Sequence, residues 1–305
     1  MNRKSLFIVA FIALIITGLT SCMTCSRNQE GFTIPDFSQD SVGEMEVHPD
    51  AMSEMVDNIA SPIEIASLVR SLDIPFSQRY LANTRNVSRY HTSHEKAFNL
   101  GVFGCNLGYL NMYGRVSMVL DYISAVKTLA DGIHVGQFFD FSTLKRIATN
   151  NQNIDSLVHI SQQSFVRIER HLQQNRRGDL VVLMMAGVWV EGLYLTSQFL
   201  KERPHERRLA ESIGEQKQML DRLLIMLGLY SRERYIAELI AELETIKVLF
   251  DEIRITIEIG EPQAIEVNGM LTFTSGETST IIYTEELMEA IIAQVETVRN
   301  KLINK

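Results

Sequence analysis

Residues 180–195 read LVVLMMAGVWVEGLYL, sixteen positions that are apolar or glycine except for Glu191. A helix with no polar face belongs inside a protein rather than on its surface. Sixteen residues fall short of the roughly 20 needed to cross a bilayer as a helix. Arg177-Gly178 stands before the run and Arg203-Pro204 after it, both boundary signals. The stretch therefore predicts a central helix over 180–201, around which the rest of the chain must pack.

Helical periodicity continues on both sides. Ser61-Pro62 opens a helix whose apolar face is Ile63, Ile65, Ala66, Val69 and Leu72, with Pro at its first position. Ile74-Pro75 breaks the chain, and a short helix is expected over 76–82. Further helices are predicted over 91–113, 115–130 (ended by Gly132), 138–149, 154–174, 206–227 and 233–257, separated by Asn150-Asn151 and Gly228. Long spans with short links favour antiparallel neighbours. The expected fold is mainly α, an antiparallel helical bundle or an array of helical hairpins over 51–305. One exception lies at 265–283, where Val, Thr, Ile, Phe and Tyr alternate. Asn268-Gly269 is a hairpin signal and Ser275-Gly276 a second turn signal. They predict a two- or three-stranded antiparallel insert at about 264–283, followed by an amphipathic helix over 285–303. One echo runs through the helices: Leu100-Gly101-Val102-Phe103 aligns with Ala186-Gly187-Val188-Trp189, and Leu107 with Leu193, at a period of 86. True repeats recur throughout their period, so these few matches leave duplication and coincidence both open.

The chain of 305 residues, 46% apolar and 22% charged, has an ordinary globular composition. Net charge is −8, and removal of residues 1–21 with Arg3 and Lys4 leaves 27 bases against 37 acids, or −10. That balance argues against a nucleic-acid surface and against attraction of the whole body to anionic headgroups. Three cysteines, Cys22, Cys25 and Cys105, do not make a disulfide framework. Cys105 falls inside an apolar helix and is expected to be a buried thiol rather than the partner of Cys25.

The amino terminus carries Arg3 and Lys4, then a 14-residue apolar run at 6–19 (LFIVAFIALIITGL), the length of a secretory core. Leu19-Thr20-Ser21-Cys22 follows. This box resembles the lipobox of bacterial lipoproteins. The resemblance implies that residues 1–21 are a signal peptide and that Cys22 carries lipid. Several acyl chains at ~0.8 kcal/mol per buried CH₂ anchor a protein firmly. Met23 stands where some bacteria place the aspartate that retains a lipoprotein in the inner membrane, which suits an outer-membrane anchor, and residues 23–27 lack the acidic run that resembles a surface-export tag, which suits a body facing the periplasm. Residues 22–50, rich in Ser, Asp, Gln, Gly and Pro, read as a tether of roughly 30 Å by coil scaling.

Four groups of residues are candidates for a site. Glu191, in its apolar helix, must be paired or protonated. It is either a pocket acid beside Trp189 and Tyr194 or half of a buried ion pair with a basic residue of a neighbouring helix. Gly101, Gly104 and Gly108, with Cys105, form a small-residue stripe. It serves either close helix approach or a ligand gap lined by Asn106, Tyr109 and Asn111. His91, His94 and Glu95 (HTSHE) put two imidazoles one turn apart, yet match no metal motif, and a helix start capped at Thr92 or Ser93 is the simpler reading. Arg167, Arg170, Arg176 and Arg177 crowd one helix end, where cations complement the dipole on a solvated face. No nucleophile elbow, P-loop, dinucleotide fingerprint or CxxC is present. No cofactor or metal is expected.

The body, through SPIEIASLVRSLDIPFSQRYL, AFNLGVFGCNLGYLNMY, GQFFDF and AGVWVEGLYL, resembles a family of uncharacterised Gram-negative envelope lipoproteins. That likeness implies a helical fold and export, and transfers no activity. The expected role is a non-enzymatic scaffold or interaction module with envelope protein partners. The alternative is a small-molecule or metal-binding lipoprotein.

Overall fold

The computed structural model describes Val69 and residues 71–304, apart from 151–153, 260–262, 268–269 and 275–276. The signal peptide, lipobox, tether and the start of the Ser61-Pro62 helix lie outside the described residues. The protein is mainly α-helical. The helices whose bounds fall among the described residues are α1 (Ser93–Met112), α2 (Val116–Gly132), α3 (Phe141–Asn150), α4 (Ile154–Gln174), α5 (Gly178–Glu202), α6 (Arg207–Gly228), α7 (Arg234–Asp251) and α8 (Glu285–Ile303).

The apolar run forms α5, and α1, α4, α6 and α8 pack around it. Although α5 is long and apolar enough to cross a membrane by composition, 89% of that window is buried within the protein. It is therefore a core helix, and between 180 and 200 only Val188 and Gly192 are partly exposed. Helix α1 starts with a capping box: Thr92 Oγ1 accepts from Glu95 N at 3.1 Å, and Glu95 Oε2 accepts from Thr92 N at 2.8 Å. Two first-turn donors that no carbonyl can reach are thereby satisfied.

Most neighbours run antiparallel, as expected. Asp221 of α6 pairs with Lys247 of α7 (2.8 Å), while the earlier Lys217 reaches the carbonyl of the later Asp251. Gln294 of α8 reaches Thr245 of α7 (2.8 Å), while the later Lys301 pairs with the earlier Glu242. Lys201 of α5 pairs with Glu296 of α8, while the earlier Glu191 pairs with the later Arg299. The central pair departs from that expectation. His94 pairs with Asp179, Asn106 with Glu191, and Tyr109 stacks on Phe199, so α1 and α5 run parallel. The antiparallel rule holds for helices joined by short links, whereas α2, α3 and α4 lie between these two.

The predicted helix over 76–82 is reduced to a single 3₁₀ turn. In its place is a strap with one 3₁₀ turn at Gln78–Tyr80 and another at Thr84–Arg89. Besides the backbone bonds of these turns, side chains of α1 and α2 take up backbone groups of the strap. Ser77 N donates to Tyr109 Oη (2.9 Å) and Ala82 N to Asn106 Oδ1 (2.7 Å), while the Ala82 carbonyl accepts from Tyr122 Oη (2.6 Å).

Helix α7 stops at Asp251, short of the expected 257, because Arg254 begins strand β1 (Arg254–Ile259). Strands β2 (Gln263–Val267), β3 (Met270–Thr274) and β4 (Glu277–Ile282) follow. β2 pairs with β3 and β1 with β4, both antiparallel, and the register sum changes by one between the two ladders. The ribbon is two-stranded and longer than the expected insert. Asn268-Gly269 and Ser275-Gly276 lie outside the described residues. β3 and β4 do not pair with each other, so no three-stranded sheet forms among the described residues.

Candidate functional site

Helices α1 and α5 cross at Gly101 and Gly187. A Cβ on Gly101 would collide with the Met184 carbonyl and come within 2.8 Å of Val188 N; one on Gly187 would collide with the Phe98 carbonyl and come within 3.1 Å of Val102 N. The two sets of neighbours are offset by the same 86 residues as the sequence echo, so the contact is symmetric and the echo lies at its centre. Close approach is thus the role of Gly101. Gly104 and Gly108 have no neighbour within 4 Å of an added Cβ and are exposed, so the stripe is not one packing ridge.

This approach brings Glu191 against α1. Glu191 is fully buried, and Arg299 of α8 is 4% exposed. Arg299 Nε donates to Glu191 Oε2 at 2.8 Å and Nη2 to Oε1 at 2.7 Å, a bidentate fork. Asn106 Nδ2 donates a third bond to Oε1. Arg299 Nη2 also reaches the Tyr80 carbonyl at 3.1 Å, and the guanidinium lies 4.2 Å from the centroid of the Tyr194 ring. Burial alone would lower the Arg299 pKa, but the facing Glu191 carboxylate outweighs it and raises it. Burial likewise pushes Tyr122, whose hydroxyl grips the strap, up to about 12.

Of the expected pocket, Glu191, Asn106 and Tyr194 do come together, with Arg299 between them. Arg299 lies 108 residues beyond Glu191 and no motif pointed to it. The polar atoms of Glu191 are consumed by protein donors. Tyr109 serves the strap, stacked between Phe76 (5.4 Å) and Phe199 (5.9 Å). Trp189 stands two positions before Glu191, hence on the far side of α5 at about 100° per residue. Its indole N–H is buried and finds no partner among the described residues. The Asn111 amide nitrogen is in the same condition, and Asn111 does not join the Glu191 cluster.

A second cross-helix pair sits at the amino-terminal ends of α1 and α5. His94 Nε2 lies 2.8 Å from Asp179 Oδ2, and the imidazole stacks on Tyr235 of α7 at 6.0 Å. The bond to Asp179 raises the His94 pKa above its ordinary value, against a smaller opposing effect of burial. His91 offers its backbone, not its ring, to Glu95. Among the described residues no three His, Cys, Asp or Glu side chains converge as metal ligands. The arginine cluster is not merely solvated: Arg167 donates to the Phe138 carbonyl (3.2 Å) and Arg177 to the Ile133 carbonyl (3.1 Å), fastening the α2–α3 link. Cys105 is a half-buried free thiol.

Comparison of the chain with protein-family models, with curated proteins and with solved structures gives no match.

Proposed function

We propose that this chain is a bacterial envelope lipoprotein, anchored through lipid on Cys22 and carrying a helical, non-enzymatic interaction module. The observation that carries the anchor is the sequence Leu19-Thr20-Ser21-Cys22 at the end of a 14-residue apolar run headed by Arg3 and Lys4. Charge, length and box agree with export and lipidation. Met23 after the cysteine favours an outer-membrane anchor, and residues 23–27, which carry no acidic run, favour a body in the periplasm. The negative body gains little from an anionic surface, so attachment falls to the acyl chains.

The buried polar centre supports the non-enzymatic part of the reading. Reactive acids are left within reach of substrate, and Glu191 instead spends both oxygens on Arg299 and Asn106. A small-molecule carrier would need that carboxylate to exchange its partners for a ligand.

Metabolic labelling with radioactive palmitate tests the anchor. Wild type is expected to take up label and Cys22→Ala to take up none. Equal labelling of the two would remove the lipoprotein reading. Chemical cross-linking of intact envelopes followed by purification of the chain tests the module: specific protein adducts are expected, and their absence would argue for the carrier.

A further inference from the structure

Strand β1 pairs with β4 on one side only, and among the described residues no strand covers its other edge. Such an edge is a row of unmet backbone donors and acceptors, and a two-stranded ribbon gains stability by adding strands. The inner face of the ribbon is fixed by Ile281, which is buried against Gly214 of α6, and Ile255 beside it is partly buried. Arg254 and Thr256 are exposed on the outer face, as is Ile282 opposite Arg254.

The free edge reads Arg254-Ile255-Thr256-Ile257-Glu258. An antiparallel copy of the same strand, centred on Thr256, sets Arg254 at the position facing Glu258 of the second copy, and Glu258 facing its Arg254. Position 255 then pairs with position 257 of the second copy, both isoleucine, and Thr256 meets Thr256. Shifting by one residue loses both charge matches and sets inner positions against outer ones. The free edge of β4 (Glu277–Ile282) carries one acid and no base, so no register of it against itself is complementary. Opposite charges at facing positions stabilise strand pairs, and like charges destabilise them. We propose that two copies of this chain associate through their β1 edges, antiparallel about a two-fold axis at Thr256, to form a four-stranded sheet β4-β1-β1-β4. This is an isologous contact, in which one patch is its own partner. It does not depend on the lipid anchor.

The test uses the purified full chain in detergent with Cys25→Ser and Cys105→Ser, under mild oxidation. Residues facing each other on antiparallel strands have Cα atoms ~4.5–5.5 Å apart, within the reach of a disulfide. Two Thr280 positions would be three strand spacings apart, ~14 Å. Thr256→Cys is expected to form disulfide dimers and Thr280→Cys at least roughly tenfold fewer. Arg254→Glu, added to Thr256→Cys, should lower dimer formation roughly tenfold, since both facing pairs turn repulsive. Adding Glu258→Arg as well should restore it. Equal cross-linking at 256 and 280 would overturn the proposal, and so would indifference to Arg254→Glu or failure of the double swap to rescue.

Discussion

Gly101 and Gly187 lie together at the crossing of the two parallel central helices, where a side chain on either would run into the backbone of the other helix. The collisions an added Cβ would meet are with backbone carbonyls, which cannot swing away as a side-chain end can. Gly101→Ala and Gly187→Ala are each expected to destabilise the protein by ~1–3 kcal/mol, the usual cost of overpacking. Gly104→Ala and Gly108→Ala should instead stabilise it by ~0.5–1 kcal/mol, because both positions are open and Ala is the better helix former. Thermal melts followed by circular dichroism separate the two pairs, and the same sign at all four positions would refute the crossing.

The bond between His94 and Asp179 makes stability depend on pH. Asp179 raises the His94 pKa in the folded state, while Glu233, Arg177 and the Tyr235 ring lie around it. A raised histidine pKa stabilises the fold when the ring is protonated. The contribution is complete below the unfolded value of about 6.5 and is lost as pH rises through the folded value. Wild type should therefore exceed Asp179→Asn in stability most clearly at about pH 5–6, by ~1 kcal/mol, and the gap should narrow toward about pH 8. Denaturant titrations across that range check the sign; a gap that widens with pH would contradict it.

Burial pushes the Cys105 thiol well above its ordinary range. Only the thiolate is strongly nucleophilic, so Cys105 should react with iodoacetamide far more slowly than a free thiol in the native protein, and at a normal rate in denaturant. Mass spectrometry of a time course reads both rates. Native-state labelling as fast as the denatured rate would show that the helix around Cys105 is open.

Much of this architecture was legible in the sequence, because it follows from local rules. Ile154–Gln174 and Glu285–Ile303 are helices with the expected bounds, and of the two cap candidates Thr92 and Ser93 it is Thr92 that caps α1. What escaped depends on contacts far apart in the chain. The 77–82 strap has helix-like composition, yet Asn106, Tyr109 and Tyr122 hold its two ends at Ser77 and Ala82, and only one 3₁₀ turn forms between them. The parallel course of α1 and α5 could not be read from link lengths, since three helices intervene. The end of α7 was overrun because Ile253, Ile255 and Ile257 continue an apolar pattern that suits helix and strand alike. At the site, the need of Glu191 for a partner was readable and the partner's identity was not: nothing near it in sequence marks Arg299.

The buried acid of the core helix is half of a structural pair rather than part of a binding pocket. Breaking a buried pair strands a charge, whereas removing both charges does not. Urea unfolding of Arg299→Met, Glu191→Gln and the double variant tests this most directly. Arg299→Met is predicted to cost ~3–5 kcal/mol, because it leaves Glu191 buried without its cation. Adding Glu191→Gln should recover ~1 kcal/mol or more, since the introduced amide carries no charge and its oxygen can still accept from Asn106. Simple additivity of the two losses, or a Glu191→Gln variant more stable than wild type, would contradict the account and return Glu191 to the role of a ligand-binding acid.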